Sequence, residues 1–371
     1  MIQNHLKVWI EISKANARHN CDEIRKLLKP DTQLWAVVKS NAYGHGIYTF
    51  SPLVADKIDG FCVDSVIEGL TLRRQGISKP ILALGPTLEP LYADAATNDI
   101  CVTASTIEAL QLIAKSAQKP KIHLKVDTGM HRQGFLPETI SEVFDFCKKN
   151  DLPVTGIYSH LADSKNPTDE SYNEKQLLQF EKAIQDAETA GYSQFIKHFA
   201  GTPATLLGQR YHFDLVRIGN ALYGEYPSTE LAKKFKVTTS LKPILSLRAK
   251  ISEIKKIAVN ELVGYGLTEK LTRDSELAII PIGYWHGIPR AASGVMNVLV
   301  NGNRAKVIGL ISMDLMTIDV TGLNVKIGDV ATIIGESSGS SITANELGEA
   351  AKTTYLEVLC RLNPLIERVV V

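Results

Sequence analysis

A lysine that abruptly ends an apolar run marks a place where amine chemistry could begin. In Leu34-Trp35-Ala36-Val37-Val38-Lys39-Ser40-Asn41-Ala42-Tyr43-Gly44-His45-Gly46 the run stops at Lys39 and breaks into Ser, Asn, Tyr, His and two glycines. The run is short, contains valines and is bounded by turn residues, so it predicts a buried strand with Lys39 at its C-terminal end. An amine so placed can form a Schiff base with a carbonyl or with pyridoxal phosphate (PLP). The plainer reading is a solvated lysine, and the run by itself leaves both open. Gly44 and Gly46 let backbone approach a bulky ligand. The chain after Gly46 has helical character, so its first N–H groups could face an anion.

Such a lysine needs a scaffold. Val8-Trp9-Ile10-Glu11-Ile12 reads as a strand, followed from Ser13 by helical spacing. Strand-like runs then appear near 34–38, 60–63, 81–84, 100–103, 121–126, 153–158, 195–199 and 213–218. Helical stretches such as 65–75, 106–117, 138–149 and 174–190 lie between them. Strands alternating with helices predict an α/β chain with an N-terminal (β/α)8 TIM-like barrel. An open doubly wound sheet is the other arrangement the pattern allows.

After about residue 238 short strand-like runs with turn residues take over, among them 245–254, 277–282, 297–300, 304–310, 315–320 and 329–334. Asn301-Gly302 signals a hairpin, and only 343–352 looks helical. We therefore expect a barrel over residues 1–237 and a mainly β domain over 238–371, with residues 1–12 pairing with the β domain.

The barrel makes a test: ionisable residues that end strands should converge on one rim. Lys39 ends the first strand. Lys125-Val126-Asp127-Thr128-Gly129-Met130-His131-Arg132 ends the fifth, Tyr158-Ser159-His160 the sixth, His198-Phe199-Ala200-Gly201-Thr202 the seventh and Val216-Arg217-Ile218-Gly219-Asn220 the eighth. The loops after the last two strands commonly hold phosphate. Thr202 offers a hydroxyl there, with a plain helix cap as the other reading. Gly219 and Asn220 offer N–H groups, with an ordinary turn as the other reading.

Composition narrows the classes. Charged residues make up 22% and the net charge is +1, so bulk electrostatics favours neither nucleic acid nor an anionic membrane. Cys21, Cys62, Cys101, Cys147 and Cys360 are scattered and odd in number, which points to reduced thiols in a cytoplasm and to no metal site. Neither a signal peptide nor a bilayer-spanning run is evident.

The segment Val38-Lys39-Ser40-Asn41-Ala42-Tyr43-Gly44-His45-Gly46 closely resembles the PLP-lysine motif of bacterial alanine racemases, and further matches cover nearly the whole chain. The resemblance implies a PLP-dependent interconversion of L- and D-alanine that supplies D-alanine for peptidoglycan. Lys39 would serve one face of the substrate as acid or base. Val263-Gly264-Tyr265-Gly266 resembles the second catalytic motif, so Tyr265 would serve the other, reaching in from a partner subunit of a homodimer with shared active sites. Tyrosine titrates near pH ~10, so neighbouring cations must stabilise its phenolate; the resemblance supplies His160 and Arg132. It places Arg217 against the pyridine nitrogen, where a permanently charged guanidinium discourages ring protonation and the side reactions that follow from it. It gives phosphate contacts to Tyr43, Thr202, Gly219, Asn220 and, with one residue more than usual before Glu357, Tyr355. Arg132 and the Met313 N–H would bind the substrate carboxylate.

Lys125 and Arg132 near one site would repel. Carbamylation of Lys125, as in many members of that family, would turn a cation into an anion; an exposed or Asp127-paired lysine is the other reading. Gly283-Tyr284-Trp285-His286-Gly287-Ile288-Pro289-Arg290 departs from the family's Gly-Tyr, small residue, Asp, Gly run, which implies altered substrate access at Trp285 and His286. A broad-specificity racemase, a PLP-carrying protein without activity and a decarboxylase on the same barrel are the alternatives.

Overall fold

The computed structural model describes residues 5–192 and 194–371; residues 1–4, part of the segment expected to join the β domain, lie outside the described residues. The chain divides into two compact units. One holds Ala15–Ala42 and Phe50–Lys242; the other holds the chain up to Lys14, Tyr43–Thr49 and Pro243–Val371.

In the first unit eight parallel strands close on themselves: Gln33–Val37, Gly60–Val63, Ile81–Pro86, Ile100–Ala104, Ile122–Lys125, Val154–Tyr158, Ile196–Gly201 and Leu215–Ile218. The last lies beside the first, with Trp35 opposite Arg217. Closure excludes the open sheet. Gly60–Val63 and Ile100–Ala104 are buried at every residue, because one face lines the barrel and the other is covered by helices. Those helices start at proper caps: the Ser65 side chain accepts the Glu68 N–H and the Thr106 side chain accepts the Ala109 N–H.

The second unit is built on a ten-stranded sheet. Val8–Ile12 runs antiparallel to Leu245–Lys250 and parallel to Arg368–Val370. Leu245–Lys250 alternates strictly, with Leu245, Leu247 and Ala249 buried, as a strand with one covered face must. The run 245–254, expected as one piece, is two strands. Glu253–Ile257 turns away to pair with Ser275–Ile280, while Leu245–Lys250 pairs with Val330–Ser337. A short helix, Tyr355–Cys360, starts at a Thr354 cap. Its single apolar turn is too brief for periodicity to reveal.

Gly44 corrects an expectation. Its φ is +84°, and a Cβ there would stand 1.8 Å from the Leu359 carbonyl oxygen. Its freedom serves a close approach to the chain's own backbone, not room for a ligand. Gly44→Ala should therefore destabilise by about 3 kcal/mol or more, summing left-handed strain and a backbone collision. Gly76→Ala, at φ +79° with nothing within 4 Å, should cost only about 1 kcal/mol of left-handed strain. Thermal melting of the two variants checks the contrast.

Candidate active site

The first barrel strand ends where the Val38 N–H donates to the Cys62 carbonyl at 2.8 Å. Lys39 then opens a left-handed turn. Ser40, Asn41 and Ala42 have φ of 55°, 55° and 52°, and Tyr43 follows at 52°. Left-handed conformation costs L-residues roughly 1–2 kcal/mol each, so neighbours must hold it. The Ala42 N–H donates to the Val38 carbonyl at 2.8 Å. The Asn41 N–H donates to Glu68 Oε1 at 3.3 Å, and Glu68 Oε2 accepts the Asp64 N–H at 2.8 Å. Strain of this kind gathers at functional sites. The Lys39 amine is left partly exposed, 3.9 Å from Asp64 Oδ1.

Arg217, on the eighth strand, is buried. Its Nη1 donates to His198 Nδ1 at 2.5 Å, and its Nη2 to the Ser159 carbonyl at 2.7 Å and the Phe199 carbonyl at 3.1 Å. Nη2 also lies 3.4 Å from His160 Nδ1. These assignments fix the tautomers behind it. His198 accepts at Nδ1, so its Nε2–H donates to His123 Nδ1 at 2.8 Å. Burial, reinforced by Arg217, lowers the pKa of both rings, to about 3 for His123. His198 stacks on Tyr158 with centroids 4.7 Å apart, and the Tyr158 hydroxyl pairs with Thr103 Oγ1 at 2.8 Å. The barrel interior thus carries a neutral relay that grips one permanent cation. Among the described residues, no carboxylate lies within ion-pair reach of Arg217.

His160 is half-buried. Burial and then the charges of Lys125, Arg217, Arg132 and Lys39 hold its imidazole well below the usual range, so these strand-end residues share one electrostatic neighbourhood. Gly201 makes space for the ring: a Cβ there would stand 3.1 Å from His160 Cε1. Thr202 opens the helix Thr202–Leu207 with Gly201 as its cap, not itself. Its Oγ1 accepts the Gly219 N–H at 3.2 Å, so Gly219 spends the donor expected for phosphate and Thr202's own O–H is the donor that remains. Asn220 begins the following turn, Asn220–Tyr223.

Lys125 matches neither plain reading. It is buried, with its amine 4.3 Å above the Tyr158 ring. Asp127 instead accepts the Gly129 and His131 N–H groups at 3.0 and 2.9 Å. Burial and then the Arg217 and Arg132 charges push the Lys125 pKa well down. Arg132 is exposed.

In the β unit Tyr265, Tyr284, Arg290, Ile311, Ser312 and Met313 line a cavity of about 630 Å³. Tyr265 is 70% exposed and stands between Gly264 and Gly266, both at positive φ. Met313 is also exposed, whereas Tyr355 is buried at the start of its helix. Of the two departures, Trp285 is exposed, but His286 is buried and turned inward. Its Nδ1 accepts the Gly283 N–H at 3.2 Å, so it cannot obstruct an entrance.

Two family models match the chain: the alanine racemase N-terminal domain over residues 12–227 and the alanine racemase C-terminal domain over residues 244–370. The chain belongs to the alanine racemase family. The alanine racemase of Methanococcus maripaludis is 36% identical over 98% of both chains. That of Leptospira interrogans serovar copenhageni is 35% identical over 98% of this chain and 95% of its own. Among solved structures, alanine racemase from Clostridium difficile superposes with a TM-score of 0.92 at 32% identity, covering 99% of this chain and 96% of the other. The Bacillus anthracis alanine racemase with bound L-Ala-P gives 0.92 at 28%, covering 99% and 95%.

Within this racemase two rim residues escaped the sequence reading. Asp64 directly follows the second barrel strand, and Glu68 ties the Lys39 turn to it by accepting the Asn41 N–H and the Asp64 N–H. The strand-end rule applied to Val63-Asp64 would have found the first. Nothing local marks the second.

Proposed function

We propose that this enzyme interconverts L- and D-alanine with PLP, by a two-base mechanism, as a cytoplasmic supplier of D-alanine for peptidoglycan. One observation carries the cofactor reading. Among the described residues, a buried, permanently charged Arg217 meets only neutral acceptors at the barrel end that also presents the partly exposed Lys39 amine. That pair fits a cofactor with an aldehyde at one end and a ring nitrogen at the other. Lys39 would hold the aldehyde carbon and Arg217 would face the ring nitrogen. Thr202, oriented by the Gly219 N–H, would face the phosphate together with Asn220, Tyr43 and Tyr355, and His160 would lie beside the ring. PLP, when bound, supplies the electron sink that acidifies the substrate's Cα–H.

The chain's residues do the rest. The Lys39 amine removes or returns the Cα proton on one face. The partner's Tyr265 does so on the other, in a homodimer whose two-fold axis yields two equivalent sites. Arg132 and the Met313 N–H hold the carboxylate. The neutral His198–His123 relay keeps Arg217 fixed, so its charge stays aimed at one place.

Cα deuterium exchange from each alanine enantiomer, with turnover of L-serine and L-lysine, tests this. Exchange with inversion for alanine above the other two is expected. Equal rates would favour a broad-specificity racemase, and PLP binding without exchange would favour a carrier.

Lys125 supports a further part of the proposal. Burial that pushes the Lys125 pKa well down favours the neutral amine, the nucleophile that carbon dioxide needs: the nitrogen would bond the carbon and release one proton, leaving an anionic carbamate. That anion would orient Arg132. A carbamate carbon resonance from labelled bicarbonate is expected in the wild type and absent in Lys125→Ala; its absence from both would remove this part.

A further inference from the structure

The turn Tyr284–His286 packs against the strip that carries Met313. The Tyr284 N–H donates to the Ser312 carbonyl and the Trp285 N–H to the Met313 carbonyl, each at 3.0 Å. The two backbones touch at Gly283, where a Cβ would stand 2.1 Å from the Ser312 oxygen and 2.5 Å from the Met313 oxygen. On the other flank the Asn363 N–H donates to the His286 carbonyl at 3.2 Å, and Asn363 Nδ2 donates to the Trp285 carbonyl at 3.0 Å. The turn is therefore clamped between the Met313 strip and the segment around Asn363.

One side chain fixes where the turn begins. His286 Nδ1 accepts the Gly283 N–H at 3.2 Å, while the His286 N–H donates back to the Gly283 carbonyl at 3.0 Å. The ring is 4% exposed and stands edge-on to Trp285, with centroids 4.9 Å apart. Nδ1 accepts only in the neutral ring, with the proton on Nε2. Protonation would set a donor against a donor in a buried place. Burial holds the ring neutral; Asp314 in the Met313 strip works against this, and Lys7 from the N-terminal segment adds to it.

We propose that His286 is a positioning residue: its neutral ring anchors the Gly283 turn and thereby sets the Ser312–Met313 backbone of the substrate pocket, and ring protonation loosens that backbone. The proposal rests on the reading of Met313 as a carboxylate contact. The contribution is fully present above the ordinary imidazole value of about 6.5 and is lost as pH falls from there through the lower folded value.

The test compares wild-type holoenzyme with His286→Asn, which keeps an acceptor that does not titrate, and His286→Leu, which has none. Two readouts are taken: amide hydrogen exchange over 310–316 without substrate, and kcat and KM for alanine from acid to neutral pH. In His286→Leu, exchange and KM should both rise about tenfold, the worth of one hydrogen bond, with kcat changed far less. His286→Asn should restore both and abolish the wild-type rise of KM in acid. Unchanged exchange in His286→Leu overturns the proposal. Faster exchange with a flat KM overturns it through the Met313 reading alone. Should His286→Leu fail to fold, an acid rise of KM persisting in His286→Asn overturns it. The exchange readout stands even if alanine is not the substrate.

Discussion

Tyr265→Phe should exchange the Cα hydrogen of D-alanine far faster than that of L-alanine. Removing one acid–base group costs typically about 10²–10⁴-fold, and the proposed mechanism assigns that loss to one face only. If Lys39 serves the D face and Tyr265 the L face, Lys39, untouched, would still take the proton from D-alanine and return it to the same face. Overall racemisation falls in both directions together, because one broken step limits both. The discriminating measurement is deuterium uptake at early times, starting from each enantiomer separately. The substitution removes only a hydroxyl from a side chain that is 70% exposed, so folding should be intact. Equal loss from both enantiomers would remove Tyr265 from its assigned face.

Lys39→Ala should be more severe, because in the proposed mechanism one side chain would hold the cofactor and also serve as a base. The expected loss exceeds the ~10²–10⁴-fold of a single acid–base group and affects both enantiomers. Borohydride reduction followed by mass measurement should fix PLP to the wild type at Lys39 and leave Lys39→Ala unlabelled. The fold should tolerate the change, since the turn is held by the Ala42–Val38 and Asn41–Glu68 hydrogen bonds, neither of which uses the lysine side chain. Racemisation surviving in Lys39→Ala would sink the assignment of this amine.

Much of the barrel side could be read before any coordinates, because a parallel strand buried on both faces must be apolar, and a polar residue at its end then stands out. That logic singled out Lys39, Lys125, His160, Arg217 and Thr202, all of which lie at or near the ends of barrel strands. It did not find the left-handed turn, because Ser40, Asn41 and Ala42 adopt a conformation opposed to their local preference. The Asn41–Glu68 hydrogen bond that helps hold it comes from a residue distant in sequence. His286 misled for a related reason. A histidine in a Gly-rich turn reads as exposed, yet tertiary packing draws it inward to accept one N–H. In the β unit, the two-residue strands Leu262–Val263 and Glu269–Lys270 are too short to carry a period-2 signal. The Thr202–Gly219 hydrogen bond was hidden because spacing tells which residues share a rim, not which donors they spend on one another.

The first strand, Val8–Ile12, lies between Leu245–Lys250 and Arg368–Val370, and the Val371 N–H donates to the Ile12 carbonyl at 3.0 Å. During synthesis on the ribosome this strand therefore emerges long before either neighbour exists. The entire barrel is made in the interval, and the strand's ladder groups stay open to stray pairing throughout. Arg368–Val370 is an edge strand of that sheet, and its loss would leave one side of Val8–Ile12 bare. A bare strand edge of that kind is a template for pairing with another chain, which is the hazard this threading creates.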